Sequence, residues 1–181
     1  ESVAELVFAH LFGGVRFLYD ANRNMPLEGD SNFKELKKSY SKGTELRGKT
    51  LGIFGFGNIG QATAKLAIGA GMNVVYCDPE VENASIELTF FDGQKVTFAL
   101  KNTEKSELIK NADYISLHIP GQKGYVIGKE ELSQMKKGVG IVNAARGGVI
   151  DEVALVEALE NGTVSFAGLD VYESEPKPEM K

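Results

Sequence analysis

The chain has 181 residues, 43% of them hydrophobic, which is enough apolar material for a substantial core in one domain or two small ones. Its net charge of −5 and pI near 5.2 leave no basic excess to displace counterions, which argues against a nucleic-acid surface. The single cysteine, Cys77, cannot form an internal disulfide, and no apolar run is long enough to span a bilayer. The expectation is a soluble protein of the reducing cytoplasm without nucleic-acid or membrane partners.

In chain order, residues 2–19 repeat apolar side chains at helical spacing (Val3, Leu6, Val7, Leu11, Val15, Leu18), with Ser2 as a candidate N-cap. Phe8, Phe12 and Phe17 make other faces apolar too, so burial against a second domain or subunit is expected, and residues 1–20 are read as a hinge and homodimer helix. His10 has no acid or cysteine nearby in sequence and reads as a packed or surface histidine; no metal site is expected. Residues 20–48 carry Asn, Pro, Gly, Ser and Lys with weak periodicity and read as a long connection with a short helix near 33–39. Its lysines (Lys34, Lys37, Lys38, Lys42) alternate with polar residues, as on a solvated face.

Residues 49–79 carry the most information. An apolar run (Leu51, Ile53, Phe54) leads into Gly55, Gly57 and Gly60 in G-x-G-x-x-G spacing, then a helical pattern, a second apolar run and Asp78. A strand that turns at once into a helix needs one glycine for the tight turn, one where backbone approaches a pyrophosphate, and one where helix packs on strand. The free N–H groups at the helix start, near Asn58 and Ile59, face the phosphates, and the helix dipole favours their charge. Asp78 closes the second strand, where its carboxylate can accept from both ribose hydroxyls and repel a 2′-phosphate, so the cofactor reads as NAD rather than NADP.

Beyond it, Asp92-Gly93 sits between two β-rich segments and signals a hairpin over 84–100. A short helix at 104–110, a strand in ADYISLHIP, a helix at 129–136 and a strand in GVGIVNAA follow. A helix capped by Asp151 and stopped at Gly162, and a last strand in SFAGLDV, complete the pattern. Alternating strands and helices predict an α/β fold with a Rossmann-type, doubly wound parallel sheet, the hairpin being an insertion.

Ligands bind beyond the carboxyl ends of such strands. Four strand ends should therefore share one crevice: the Gly55–Gly60 turn, His118-Ile119-Pro120, Asn143 to Arg146, and Asp170 to Glu175. Arg146, between small residues in AARGG, can hold a carboxylate through two parallel hydrogen bonds and polarise an adjacent carbonyl; the plain alternative is a surface salt bridge. Glu175 in ESEP can tune a histidine, or simply be solvated. His118, in an alternating strand ended by Pro120, reads as orienting or packed rather than acid–base.

The segments SVAELV, GKTLGIFGFGNIGQATAKLAIGAGMNVVYCDP, ADYISLHIP, MKKGVGIVNAARGGVIDEVALVEALENG and GLDVYESEP closely resemble the D-2-hydroxyacid dehydrogenase family. SVAELV is most similar to the family's phosphoglycerate dehydrogenases. The resemblance implies that Asn58, Ile59, Asp78, Ala144, Ala145 and Asp170 contact NAD, that Arg146 binds the substrate carboxylate and carbonyl, and that Glu175 partners a catalytic histidine. In the family that histidine lies in an H-x-G motif past the E-P pair, and the chain stops at Lys181 before one appears. Residues 1–181 therefore read as an NAD-binding domain without its substrate domain, expected to bind NAD and turn nothing over. The hairpin and the loop at 121–126 differ from the family pattern. The expected reaction of the intact enzyme is hydride exchange between NAD and a small 2-hydroxy or 2-oxo acid, 3-phospho-D-glycerate first. A hydroxypyruvate or glyoxylate reductase, or an NAD-sensing corepressor-like protein, are the alternatives.

Overall fold

The computed structural model describes residues 1–175; Pro176, the last residue of the ESEP motif, and those after it lie outside the described residues. Five parallel strands form the main sheet: β1 (Thr50–Phe54), β2 (Asn73–Cys77), β5 (Tyr114–Leu117), β6 (Val139–Asn143) and β7 (Val164–Leu169), in the order β2-β1-β5-β6-β7. Four of the five residues of β1 and every residue of β5 and β6 are buried. Such unbroken burial marks strands covered on both faces.

Two apolar clusters supply that cover. On one face Ile115, Leu117, Val139 and Ile141 pack with α5 (Lys105–Asn111), α6 (Lys129–Gln134) and α7 (Glu152–Glu160). On the other, Leu51, Ile53, Tyr114 and Val142 pack with α1 (Ser2–Val15) and α4 (Asn58–Gly69). The Asp151 carboxylate caps α7 by accepting from the Ala154 N–H at 3.0 Å, and Gly162 ends that turn at φ +75°. Cys77 lies half-buried in β2 as expected, where burial, then Glu104 and Asp78, push its thiol pKa up.

The N-terminal region departs from expectation in three ways. Glu1, not Ser2, occupies the N-cap, without a side-chain capping bond. The helix does not run to Tyr19: it ends at Val15, and Phe17, at φ +54°, turns the chain into a second helix, α2 (Leu18–Glu28). A left-handed Phe cannot continue an α-helix. Finally, 20–48 is largely helical, with α2 and then α3 (Phe33–Tyr40). α2 buries no residue and carries Pro26, so periodicity could not reveal it. Tyr40 holds it from outside: its hydroxyl donates to the Asp20 carbonyl at 3.2 Å and accepts from Asn24 Nδ2 at 3.0 Å. The domain's own core takes Ala4, Val7, Phe8, Leu11 and Val15 of α1, while Phe12 stays half exposed.

The hairpin forms as a separate two-stranded sheet, β3 (Asn83–Thr89) and β4 (Lys95–Lys101), joined through Phe90–Gln94 rather than a two-residue turn, with Gly93 at φ +84°. Ile86 is its anchor: 1% exposed, it enters the α1–α4 cluster, whereas Phe91 at the tip is fully exposed. Ile86→Ala is therefore expected to lower unfolding free energy by about 2–4 kcal/mol through the cavity it leaves, and Phe91→Ala to change it by less than about 0.5 kcal/mol. Urea denaturation monitored by circular dichroism checks both; equal effects would mean the hairpin is not anchored through Ile86.

Candidate functional site

The strand order reverses direction across β1 and β5, because β2 lies on one side of β1 and β5 on the other. The carboxyl ends of these strands carry the glycine turn and His118. Gly55 adopts φ +85°, and a Cβ there would lie 2.5 Å from the His118 carbonyl oxygen; one on Gly60 would lie 2.1 Å from the Gly55 carbonyl oxygen. Neither position accepts a side chain. Gly57 differs, since a Cβ there would meet no atom within 4 Å. Its backbone borders open space, as a turn that takes a ligand against its main chain requires.

Gly57 is also the N-cap of α4 and offers no side-chain capping bond, so the amides of the first turn, beginning with Asn58 and Ile59, are left for an anion. Phe56 fixes the turn from beneath: it is wholly buried and stacks on Tyr76 at 3.8 Å. Gln61 Nε2 donates to the Phe56 carbonyl at 3.0 Å.

Asp78 stands at the end of β2 beside this turn, half-buried. Its Oδ2 accepts from the Phe56 N–H at 2.6 Å, and its Oδ1 from the Glu80 and Val81 N–H groups at 2.8 and 3.2 Å. The carboxylate thus staples the glycine turn to the neighbouring strand. A carboxylate has about four acceptor sites, so lone pairs remain for further donors. Asn102 clamps the same strand end: its Oδ1 accepts from the Asp78 N–H and its Nδ2 donates to the Asp78 carbonyl, both at 2.9 Å.

Beyond the turn, Ile59, His118, Ile119, Pro120, Ala144, Ala145 and Arg146 line one cleft of about 230 Å³, together with Val3 from α1. Three strand ends named from the sequence therefore meet in one place, and Val3 is an addition that no motif signalled. Arg146 is exposed; Nη1 donates to the Ala145 carbonyl at 2.7 Å, and it has no ion pair among the described residues. Its loop is set by Asn143, 3% exposed, whose Nδ2 donates to the Arg146 carbonyl at 2.9 Å and whose Oδ1 accepts from the Ala145 N–H at 3.1 Å. A buried amide that satisfies two loop groups is a positioning device, and only its place at the strand end hinted at it.

Asp170 and Glu175 do not line the cleft. The Asp170 N–H donates to the Asn143 carbonyl at 3.0 Å, which ties the end of β7 to that of β6. Glu175 Oε1 accepts from the Tyr172 N–H at 2.9 Å and closes a tight turn. This turn packs directly on the arginine loop: a Cβ on Gly147 would fall 1.9 Å from the Tyr172 carbonyl oxygen. The loops bearing Arg146 and Glu175 are thereby held backbone to backbone.

His118 Nε2 lies 2.9 Å from Ser116 Oγ and 3.2 Å from Thr63 Oγ1, and Thr63 spends its own proton on the Ile59 carbonyl. The network thus assigns the proton to Nε2, and Nδ1 is buried without a partner among the described residues. Burial alone lowers the His118 pKa from 6.5 to about 4, so the ring is neutral at physiological pH. The ring is thus packed, one of the two readings its place in the strand offered. Because the folded pKa is the lower one, stability is full above pH 6.5 and is lost as pH falls toward 4. In His118→Gln the loss of unfolding free energy between pH 7 and 4 is expected to shrink by on the order of 2–3 kcal/mol. Denaturant titrations across that range check it; identical pH slopes would remove His118 as the source.

The comparisons with known proteins agree with this geometry. Residues 8–181 match the family model of the D-isomer specific 2-hydroxyacid dehydrogenase NAD-binding domain. The chain is 41% identical over 177 residues to a hydroxypyruvate reductase of Thermotoga maritima, covering 97% of the chain and 52% of that protein. It is 40% identical over 184 residues to a D-3-phosphoglycerate dehydrogenase of Methanocaldococcus jannaschii, covering 97% of the chain and 31% of the relative. The crystal structure of a D-lactate dehydrogenase from Aquifex aeolicus, complexed with NAD and lactic acid, superposes with a TM-score of 0.74 at 33% identity, over 96% of this chain and 48% of that one. The chain thus spans about half or less of the length of these relatives. A Rossmann-type sheet, a glycine turn open at Gly57 and a match across nearly the whole chain converge: this chain belongs to the D-isomer specific 2-hydroxyacid dehydrogenase family, as its NAD-binding domain.

Proposed function

We propose that the protein to which this domain belongs transfers a hydride between NAD and a D-2-hydroxy acid, with 3-phospho-D-glycerate as the first candidate substrate. The cleft carries the proposal: an exposed Arg146, without an ion pair among the described residues, stands beside the strand ends of His118 and Ala144, next to a glycine turn whose first helical amides have no side-chain cap. Similarity to phosphoglycerate dehydrogenases supports the substrate, and the hydroxypyruvate reductase relative at 41% identity supports hydroxypyruvate as a second reading. Assays of the full-length protein with both acids separate them; turnover of neither would overturn the substrate proposal.

In this proposal the roles divide by position. The α4 amides and Gly57 receive the pyrophosphate, and Asp78 accepts from the adenosine ribose while keeping its bonds to the turn. Ile59, His118, Ile119, Pro120, Ala144 and Ala145 wall the nicotinamide end and exclude water. Asp170, at the tied end of β7, contacts the cofactor from the far side. Arg146 holds the substrate carboxylate through paired hydrogen bonds and draws electron density from the adjacent carbonyl. NAD, when bound, accepts or delivers the hydride.

Neither histidine of the chain suits the hydroxyl proton. His118 is buried and neutral, and His10 lies under Gly168, where a Cβ would meet its ring at 2.6 Å. Glu175 is accordingly proposed to tune an acid–base histidine from another segment of the protein. The prediction is that the 181-residue chain binds NADH by calorimetry and turns over no 2-oxo acid; turnover would overturn this division of labour. In the same titration Asp78→Ala should weaken NADH at least about tenfold and narrow the preference over NADPH, because one charge-assisted contact and the turn staple are lost. Unchanged affinity for both cofactors would refute the role of Asp78.

The proposed assembly is a homodimer through this domain, in the cytoplasm. Among the described residues Phe12, Leu18, Tyr19, Leu27 and Phe33 remain at least half exposed along α1 to α3. Among the described residues no single helix is long and apolar enough to cross a membrane. Light scattering at micromolar concentration is expected to give twice the chain mass; a monomer would count against the dimer.

A further inference from the structure

A larger cavity, of about 280 Å³, lies at the opposite end of the sheet from the cleft. That size is close to the lower end of small-molecule sites, which run from roughly 300 to 1,000 Å³. Its walls are the amino ends of strands: Lys49 precedes β1, Tyr114 opens β5, Lys136 to Gly138 lead into β6, and Ser165 lies in β7. The end of α1 and the loop at Lys42 and Thr44 close it.

Four lysines (Lys42, Lys49, Lys136 and Lys137) line this cavity against one acid, Asp113, in a chain whose net charge is −5. The sign of the field is locally reversed, and a concave low-dielectric wall focuses it. Asp113 does not neutralise the group. Its Oδ2 accepts from the Thr50 N–H at 2.8 Å and its Oδ1 from Lys136 Nζ at 3.0 Å. Burial opposes its charge, but those bonds and the nearby lysines outweigh burial and hold the carboxyl below the usual range. Lys42, Lys49 and Lys137 have no ion pair among the described residues.

Two further observations distinguish this place from a solvated lysine face. The floor carries built polar groups: Tyr114, 5% exposed, sets its hydroxyl 3.3 Å from Thr44 Oγ1, between the apolar walls of Val15 and Phe166. At the rim stands Phe17, the one non-glycine residue with positive φ among those described. A left-handed Phe is strained, by on the order of 1 kcal/mol, and such strain gathers at functional positions.

We propose that this cavity binds a compact polyanion, a phosphorylated small molecule. Lys42, Lys49 and Lys137 meet its charge, and the Thr44 and Tyr114 hydroxyls its remaining oxygens. The site is separate from the glycine turn, because the five residues of β1 hold the two ends of the sheet about 15 Å apart. Pyrophosphate is the probe, titrated calorimetrically at low salt into the chain saturated with NADH. One saturable site is expected, weakened about tenfold or more in K49Q/K137Q and retained in K49R/K137R. Absence of saturable binding to the unsubstituted chain, equal affinity in K49Q/K137Q, or loss in both double variants would each overturn the proposal. The lysine dependence reads this cavity alone, so a failure of NADH to bind would count against the cofactor roles proposed above and not against this site.

Discussion

The structure depends on how closely the β1 turn can approach the end of β5. Gly55 lies where any side chain would strike the His118 carbonyl, and Gly60 lies where one would strike Gly55 itself. Those two contacts let α4 start immediately at the sheet edge and let the β5 end sit beside it. Without them the helix start would lift away from the switch point, and the cleft lined by Ile59, His118 and Ala144 would have no common wall. Gly57, free of any such contact, keeps the space that the other two make possible.

Around that approach the polar groups divide into those that shape the site and those that face it. Asp78 and Asn102 pin the end of β2 to the glycine turn, and Asn143 pins the arginine loop. Thr63 and Ser116 hold a neutral His118. Each is partly or wholly buried and hydrogen-bonded, so each resists motion of the backbone it holds. Arg146, by contrast, makes its side-chain hydrogen bond among the described residues within its own loop and remains exposed. A rigid frame around an exposed guanidinium suits the carboxylate-holding role proposed for it.

Elements with two buried faces or a cap were plain in the sequence. The runs LGIF, YISL and VGIVN became buried strands, and Asp151 with Gly162 bounded α7 as written. α2 was hidden, because its Asn22, Asn24 and Pro26 oppose helix and it buries nothing. Its support is Tyr40, a contact across sixteen or more positions that no local pattern contains. The extent of α1 is hidden for a related reason: apolar spacing continues through Leu18, but the left-handed backbone at Phe17 breaks the helix.

The candidate site shows the same division. Spacing alone placed the glycines, Asp78, Arg146 and Glu175 at strand ends, because strand, turn and helix are local patterns with local causes. It could also bring the family resemblance, and with it NAD. What the chain order could not contain is which groups meet: that Val3 joins the cleft from α1, and that Asp78 holds the glycine turn from the neighbouring strand. Nor could it bring Lys137 beside Lys42 and Lys49, far before it in the chain, around one cavity. Those facts come from packing five strands in an order different from their order in the chain, so only the tertiary structure decided them.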